Sequence, residues 1–102
     1  MNSEYEALNL VSAAEKKLNP GCFASICSNK EQRMEDAKDL YEKAGNKFKL
    51  AQTWFEAGEC FEKAAEIQES RKENPSQYYE EAAFCFNFAD KKSKLVIRCN
   101  HI

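Results

Sequence analysis

Apolar residues recur at helical spacing in four stretches of this chain, each bounded by cap or breaker residues. In the first, Tyr5, Leu8, Val11, Ala14 and Leu18 mark one face of a helix expected over residues 4–18. A capping box at Ser3 and Glu6 opens it and Asn19-Pro20-Gly21 ends it. The next residues, Cys22 to Ser28, form a short loop that is apolar where loops are usually polar. A second capping box, Ser28 with Glu31, opens a helix carrying Met34, Ala37, Leu40, Tyr41, Ala44 and Phe48. It is expected to reach Lys47 or Phe48, because Phe48 continues the stripe past Gly45. The third stretch carries Leu50, Ala51, Trp54, Phe55, Ala57, Phe61, Ala64, Ala65 and Ile67, and its first half is apolar over more than one face. Trp54 and Phe55 are therefore expected in the core, whereas Gln68 to Glu73 are expected to project into water. Asn74 as N-cap and Pro75 at the first position start a fourth helix expected to end near Asp90, with Tyr78, Tyr79, Ala82, Ala83, Phe86 and Ala89 inward. Residues 91–102, with Leu95-Val96-Ile97, read as a partial fifth helix or a frayed tail.

One spacing recurs within these stretches: Ala37-x3-Tyr41-x2-Ala44, Ala57-x3-Phe61-x2-Ala64 and Ala82-x3-Phe86-x2-Ala89. Small residue, ring and small residue at i, i+4 and i+7 make one helical stripe, so a neighbour approaches closely while the ring fills the gap. The fold expected is all-α, a right-handed α-solenoid of antiparallel helix pairs, TPR-like, with about four helices plus a partial fifth. Residues 1–102 are expected to form a single helical-repeat domain that stops in mid-array, because the fourth copy of the spacing is missing.

Composition narrows the function classes. Fifteen Lys and Arg against 17 Asp and Glu leave a net charge of −2, without the basic excess a nucleic-acid binder concentrates on one face. No apolar run approaches the roughly 20 residues of a membrane-spanning helix, and Met1-Asn2-Ser3-Glu4 has neither part of a secretory signal. Five cysteines, an odd count without a signal, point to a reducing compartment, and Cys60 and Cys85 read as small buried hydrophobes. Cys22-x4-Cys27 lacks the second Cys/His pair of a zinc site. His101 is the one histidine, and the acidic pairs Glu35-Asp36 and Glu80-Glu81 have nothing converging on them. No catalytic, metal or cofactor site is expected.

The run Asp39-Leu40-Tyr41-Glu42-Lys43-Ala44-Gly45-Asn46-Lys47-Phe48-Lys49-Leu50-Ala51, then Trp54, then Ala57-Gly58-Glu59-Cys60-Phe61-x-x-Ala64-Ala65, resembles the start of an alpha-type SNAP. Ala14-Glu15-Lys16-Lys17 before the apolar loop and Ala82-x3-Phe86-x2-Ala89-Asp90 extend the likeness over most of residues 5–90. These are the soluble attachment proteins of vesicle fusion. The resemblance implies a non-enzymatic, all-helical adaptor, peripheral on the cytosolic face of membranes. It implies binding to a syntaxin-like SNARE four-helix bundle and recruitment of the AAA+ disassembly ATPase, N-ethylmaleimide-sensitive factor, through a C-terminal bundle that has no counterpart here.

By position, the family's membrane-contacting loop corresponds to Cys22, Phe23, Ile26 and Cys27. Burying Phe23 and Ile26 in a bilayer is worth about 1.5–3 kcal/mol apiece at most. The flanking Lys16, Lys17, Lys30 and Arg33 would face headgroups at about 1 kcal/mol each near an anionic surface. The residues alone favour Phe23 and Ile26 folding back on the first two helices as a plug; the resemblance reverses this in favour of the membrane. Lys43, Lys47 and Lys49 read either as a face for acidic SNARE side chains or as an ordinary solvated surface. The rival to the adaptor reading is a TPR-like scaffold that binds peptides and has no membrane role, but its uniform 34-residue period does not match copies starting at 37, 57 and 82.

Overall fold

Four helices account for the described chain: α1 (Ser3–Leu18), α2 (Lys30–Leu50), α3 (Trp54–Ser70) and α4 (Ser76–Asn100). A computed structural model describes the backbone of residues 3–19 and 29–100 and the side chains of residues 3–19 and 29–90. No strand occurs among the described residues. Each helix packs chiefly on its chain neighbours, α1 on α2, α2 on α3 and α3 on α4, in a body of 59 × 31 × 18 Å.

The expected boundaries shift at several points. Asn29, not Ser28, caps α2, its side chain accepting from the Glu31 amide at 2.9 Å. Ser3 is already helical, and Glu6 leaves its expected capping role to pair with Lys47 at 2.9 Å. Helix α2 continues to Leu50, so Leu50 and Ala51 do not open α3. Asn74 does cap α4, accepting from the Ser76 amide at 3.0 Å. The segment read as a partial fifth helix or frayed tail continues α4 without a break to Asn100; it contains neither Pro nor Gly to end the helix.

Both α2 and α3 end in the same way. Gln52 at φ 65° and Lys72 at φ 62° are left-handed. The Gln52 and Thr53 amides bond to the Lys49 and Phe48 carbonyls, and the Lys72 and Glu73 amides to those of Glu69 and Gln68. These are two Schellman motifs built without the glycine that relieves the Cβ clash.

The core follows the small–ring–small stripes. Ala37, Tyr41 and Ala44 are buried, as are Ala57, Phe61 and Ala64. In the last copy Ala82 is buried while Phe86 and Ala89 are half-buried. Helix α1 carries an unexpected relative of the motif, Ala7-x3-Val11-x2-Ala14, with both alanines fully buried and Val where the others have a ring. The rings land on glycines of the preceding helix. A Cβ at Gly45 would lie 2.8 Å from Phe61 Cε2, and one at Gly58 would lie 2.7 Å from Phe86 Cε1.

Trp54 is half-buried, with its ring 4.3 Å from that of Phe88 and 6.4 Å from that of Phe84. Phe55 departs from the core position expected of it: it is 54% exposed and only flanks Phe86, at 5.5 Å. Phe55 follows Trp54 by one residue, a 100° step that carries its side chain off the buried stripe of Ala57, Phe61 and Ala64. The polar end of α3 does not all project into water either, since Arg71 folds back to pair with Glu35 of α2.

Candidate functional site

Helix α2 is the hub of the polar bridges. Its Lys47 pairs with Glu6 of α1, and its Asp36 with Lys17 of α1 at 3.4 Å. Its Glu35 receives Arg71, its Glu42 accepts from the Tyr78 hydroxyl at 2.8 Å, and its Lys49 meets Glu81 at 3.1 Å. The Arg71 guanidinium and the Lys38 ammonium hold the Glu35 carboxyl below the usual carboxylate range, as Lys47 does for Glu6. Burial, reinforced by Glu42, pushes the Tyr78 phenol up.

These bridges divide the three lysines singled out on α2. Lys43 is exposed, Lys47 is spent on α1, and Lys49 reaches α4 with its ammonium 5.7 Å from the Phe61 ring centre. Lys43 and Lys47 stand one turn apart, but Lys49 lies about 200° round the helix from Lys47. The structure does not join them into one basic face.

The other basic group does come together. Lys16 and Lys17 close α1 and Lys30 and Arg33 open α2, so all four stand at one end of the helix pair, on either side of residues 20–28. Cys22, Phe23, Ile26 and Cys27 lie outside the described residues. Lys17, Leu18, Lys30, Arg33 and Met34 line a cleft of about 310 Å³, and the buried Arg33 Nε has no hydrogen-bond partner among the described residues. Lys16 and Lys17 suit the negative end of α1. Lys30 and Arg33 sit at the positive end of α2, where helix stability favours acids. Their charge there is not explained by the helix they belong to.

The SNAP family model, soluble NSF attachment protein, matches residues 5–99. The chain belongs to the soluble NSF attachment protein family. Its relatives in that family include the alpha-soluble NSF attachment protein of Vitis vinifera, 35% identical over 85 residues, covering 80% of this chain and 27% of the relative. The human alpha-soluble NSF attachment protein is 32% identical over 95 residues, covering 90% of this chain and 32% of its own length. A vesicular-fusion protein of Komagataella phaffii is 42% identical over 65 residues, covering 62% of this chain and 22% of its own. The chain thus spans about 30% of the length of the SNAP relatives it matches. No solved structure matches it significantly. No helix among the described residues is long and apolar enough to cross a membrane.

One feature of this SNAP chain went unread in the sequence. A groove runs between α1 and α3 over the floor of α2, in two adjoining cavities of about 390 and 420 Å³ that share Glu15, Tyr41, Lys63 and Glu66. Its signal was present: Glu56, Glu59, Glu62 and Glu66 recur at helical spacing opposite the buried stripe of α3.

Proposed function

We propose that this chain is the SNARE- and membrane-engaging part of a non-enzymatic vesicle-fusion adaptor. Its helices form a right-handed, TPR-like solenoid that lies along a syntaxin-like SNARE bundle at the cytosolic face of the membrane. Recruitment and stimulation of the AAA+ ATPase fall to the C-terminal bundle of the longer family members. The observation that carries the reading is the gathering of Lys16, Lys17, Lys30 and Arg33 at one end of the α1–α2 pair, flanking Cys22, Phe23, Ile26 and Cys27. Family membership and the vesicular-fusion name of a relative support the same direction.

In this reading Phe23 and Ile26 enter the outer bilayer and the four cations meet anionic headgroups. Two apolar side chains give weak attachment, so several adaptors on one SNARE bundle act together. Lys43, the exposed member of its group, offers the remaining charge toward acidic SNARE side chains.

Co-sedimentation with liposomes containing phosphatidylserine tests the membrane half. The parent chain pellets and a Phe23→Ser, Ile26→Ser double variant stays in the supernatant. Equal pelleting of both chains, or of neither, defeats this reading. Pull-down on an assembled SNARE bundle, with Lys43→Glu as the weakened variant, tests the other half.

A further inference from the structure

The groove between α1 and α3 carries an inference beyond the adaptor reading. Its floor is apolar: Val11 is half-buried, Phe48 lies beneath, and Leu8 leaves 55% of its surface open on the rim. Its walls are acidic, with Glu15 on α1 and Glu56, Glu59, Glu62 and Glu66 along α3. None of these five carboxylates is in an ion pair among the described residues, whereas Glu35, Asp36 and Glu42 of α2 are bridged to other parts of the stack. Lys17, Lys47, Lys49 and Arg71 are instead paired with Asp36, Glu6, Glu81 and Glu35. Lys63 is the one basic residue in the lining.

A second observation points into the same space. Tyr41 is 3% exposed and lines both cavities, yet its hydroxyl has no hydrogen-bond partner among the described residues. Burial and the nearby Glu15 and Glu66 charges push that phenol up, which keeps it a neutral donor or acceptor. The hydroxyl keeps contact with solvent in the groove, so a ligand reaching the floor takes the place of water on it.

We propose that this groove docks a basic amphipathic helix of a partner protein. Its apolar face seats on Leu8, Val11 and the Tyr41 ring, and its Lys and Arg side chains pair with the carboxylates of α1 and α3. The acids of α3 recur every three or four residues, the spacing at which a helix presents successive side chains on one face. Five carboxylates against one ammonium over a low-dielectric floor give the groove a negative field that selects a cationic occupant. This partner is opposite in charge to the acidic one that Lys43 would serve, so the groove and the SNARE-facing surface are separate sites.

The test is fluorescence anisotropy with a labelled amphipathic Leu/Lys helix, a scrambled peptide of the same composition and a Leu/Glu counterpart. The Leu/Lys helix is expected to bind saturably, and more weakly as salt rises. Glu59→Gln with Glu62→Gln should weaken it at least about fivefold, while Glu31→Gln with Glu80→Gln, the same charge change outside the groove, should weaken it less than about twofold. Equal weakening by the two pairs, equal binding of the scrambled or Leu/Glu peptide, or no saturable binding overturns the proposal. Amide shifts confined to α4 on titration would place the peptide on the Trp54–Phe84–Phe88 edge instead and also overturn it.

Discussion

Substituting Gly45 tests whether ring-on-glycine packing holds the stack together. In a helix interior Gly→Ala is favourable by about 0.8–1.0 kcal/mol from backbone propensity alone. Here the new methyl would stand 2.8, 2.9 and 3.2 Å from three atoms of the Phe61 ring. Phe61 is 3% exposed and joins the cluster of Ala44, Phe48, Ala57 and Cys60, so the ring has little room to retreat. Overpacking of that kind costs about 1–3 kcal/mol, so Gly45→Ala is expected to be destabilising by about 0–2 kcal/mol net. In a chain of this size each kcal/mol lowers Tm by about 4–8 °C. The sharper measurement is a double-mutant cycle in urea with Phe61→Leu. In that background the ring is gone and Gly45→Ala should turn stabilising, by about 1 kcal/mol. The change of sign gives a coupling of about 1–3 kcal/mol, within the range measured for residues in contact. Gly45→Ala having the same sign in both backgrounds, whichever sign that is, refutes the reasoning.

The left-handed Gln52 and Lys72 predict that Gln52→Gly and Lys72→Gly each stabilise by about 0.5–1 kcal/mol, read as higher urea midpoints with unchanged slope. Glu6 and Glu35 have folded pKa values below their ordinary one of 4.5, so their contribution is present above that pH and lost as pH falls through the folded values. Glu6→Gln should therefore flatten the acid limb of the urea midpoint plotted against pH. Burial pushes the Cys60 thiol from 9.0 up to about 12, and a raised value means stability is lost as pH climbs from about 9 toward 12. Cys60→Ala should lessen that alkaline loss, and Cys60 in the folded chain should react with N-ethylmaleimide far more slowly than in urea.

The existence of the four helices and the buried stripes were legible because both rest on local periodicity and on breakers such as Asn19-Pro20 and Asn74-Pro75. Boundaries were less legible. Ser28 and Asn29 are both good caps standing side by side, and only the geometry shows Asn29 accepting from Glu31. Phe55 was misplaced because two adjacent rings at a helix start look alike in sequence, while the direction of the neighbouring helix decides which one is covered. The same limit governed the charges. Lys43, Lys47 and Lys49 sit close in sequence, but their partners Glu6 and Glu81 lie far along the chain, and sequence spacing carries no record of that pairing. Lys16, Lys17, Lys30 and Arg33 were legible as a group because a short connection between consecutive helices brings their ends together.

The stack also has a direction. Phe61 of α3 rests on Gly45 of α2, and Phe86 of α4 rests on Gly58 of α3, so each ring is delivered backward onto a helix already passed in the chain. Most packing is between consecutive helices, which keeps loop-closure costs small and lets order spread from neighbour to neighbour. Helix α1 stands apart from this relay. It meets α2 through Ala7, Val11 and Ala14 without a ring, leaves Tyr5 and Leu8 exposed, and is fastened by the exposed pairs Lys17–Asp36 and Lys47–Glu6. Exposed pairs of that kind are screened by solvent and add little to stability. The helix that carries half of the basic cluster and one wall of the acidic groove is therefore seated on the core by small and aliphatic side chains rather than by a ring of its own.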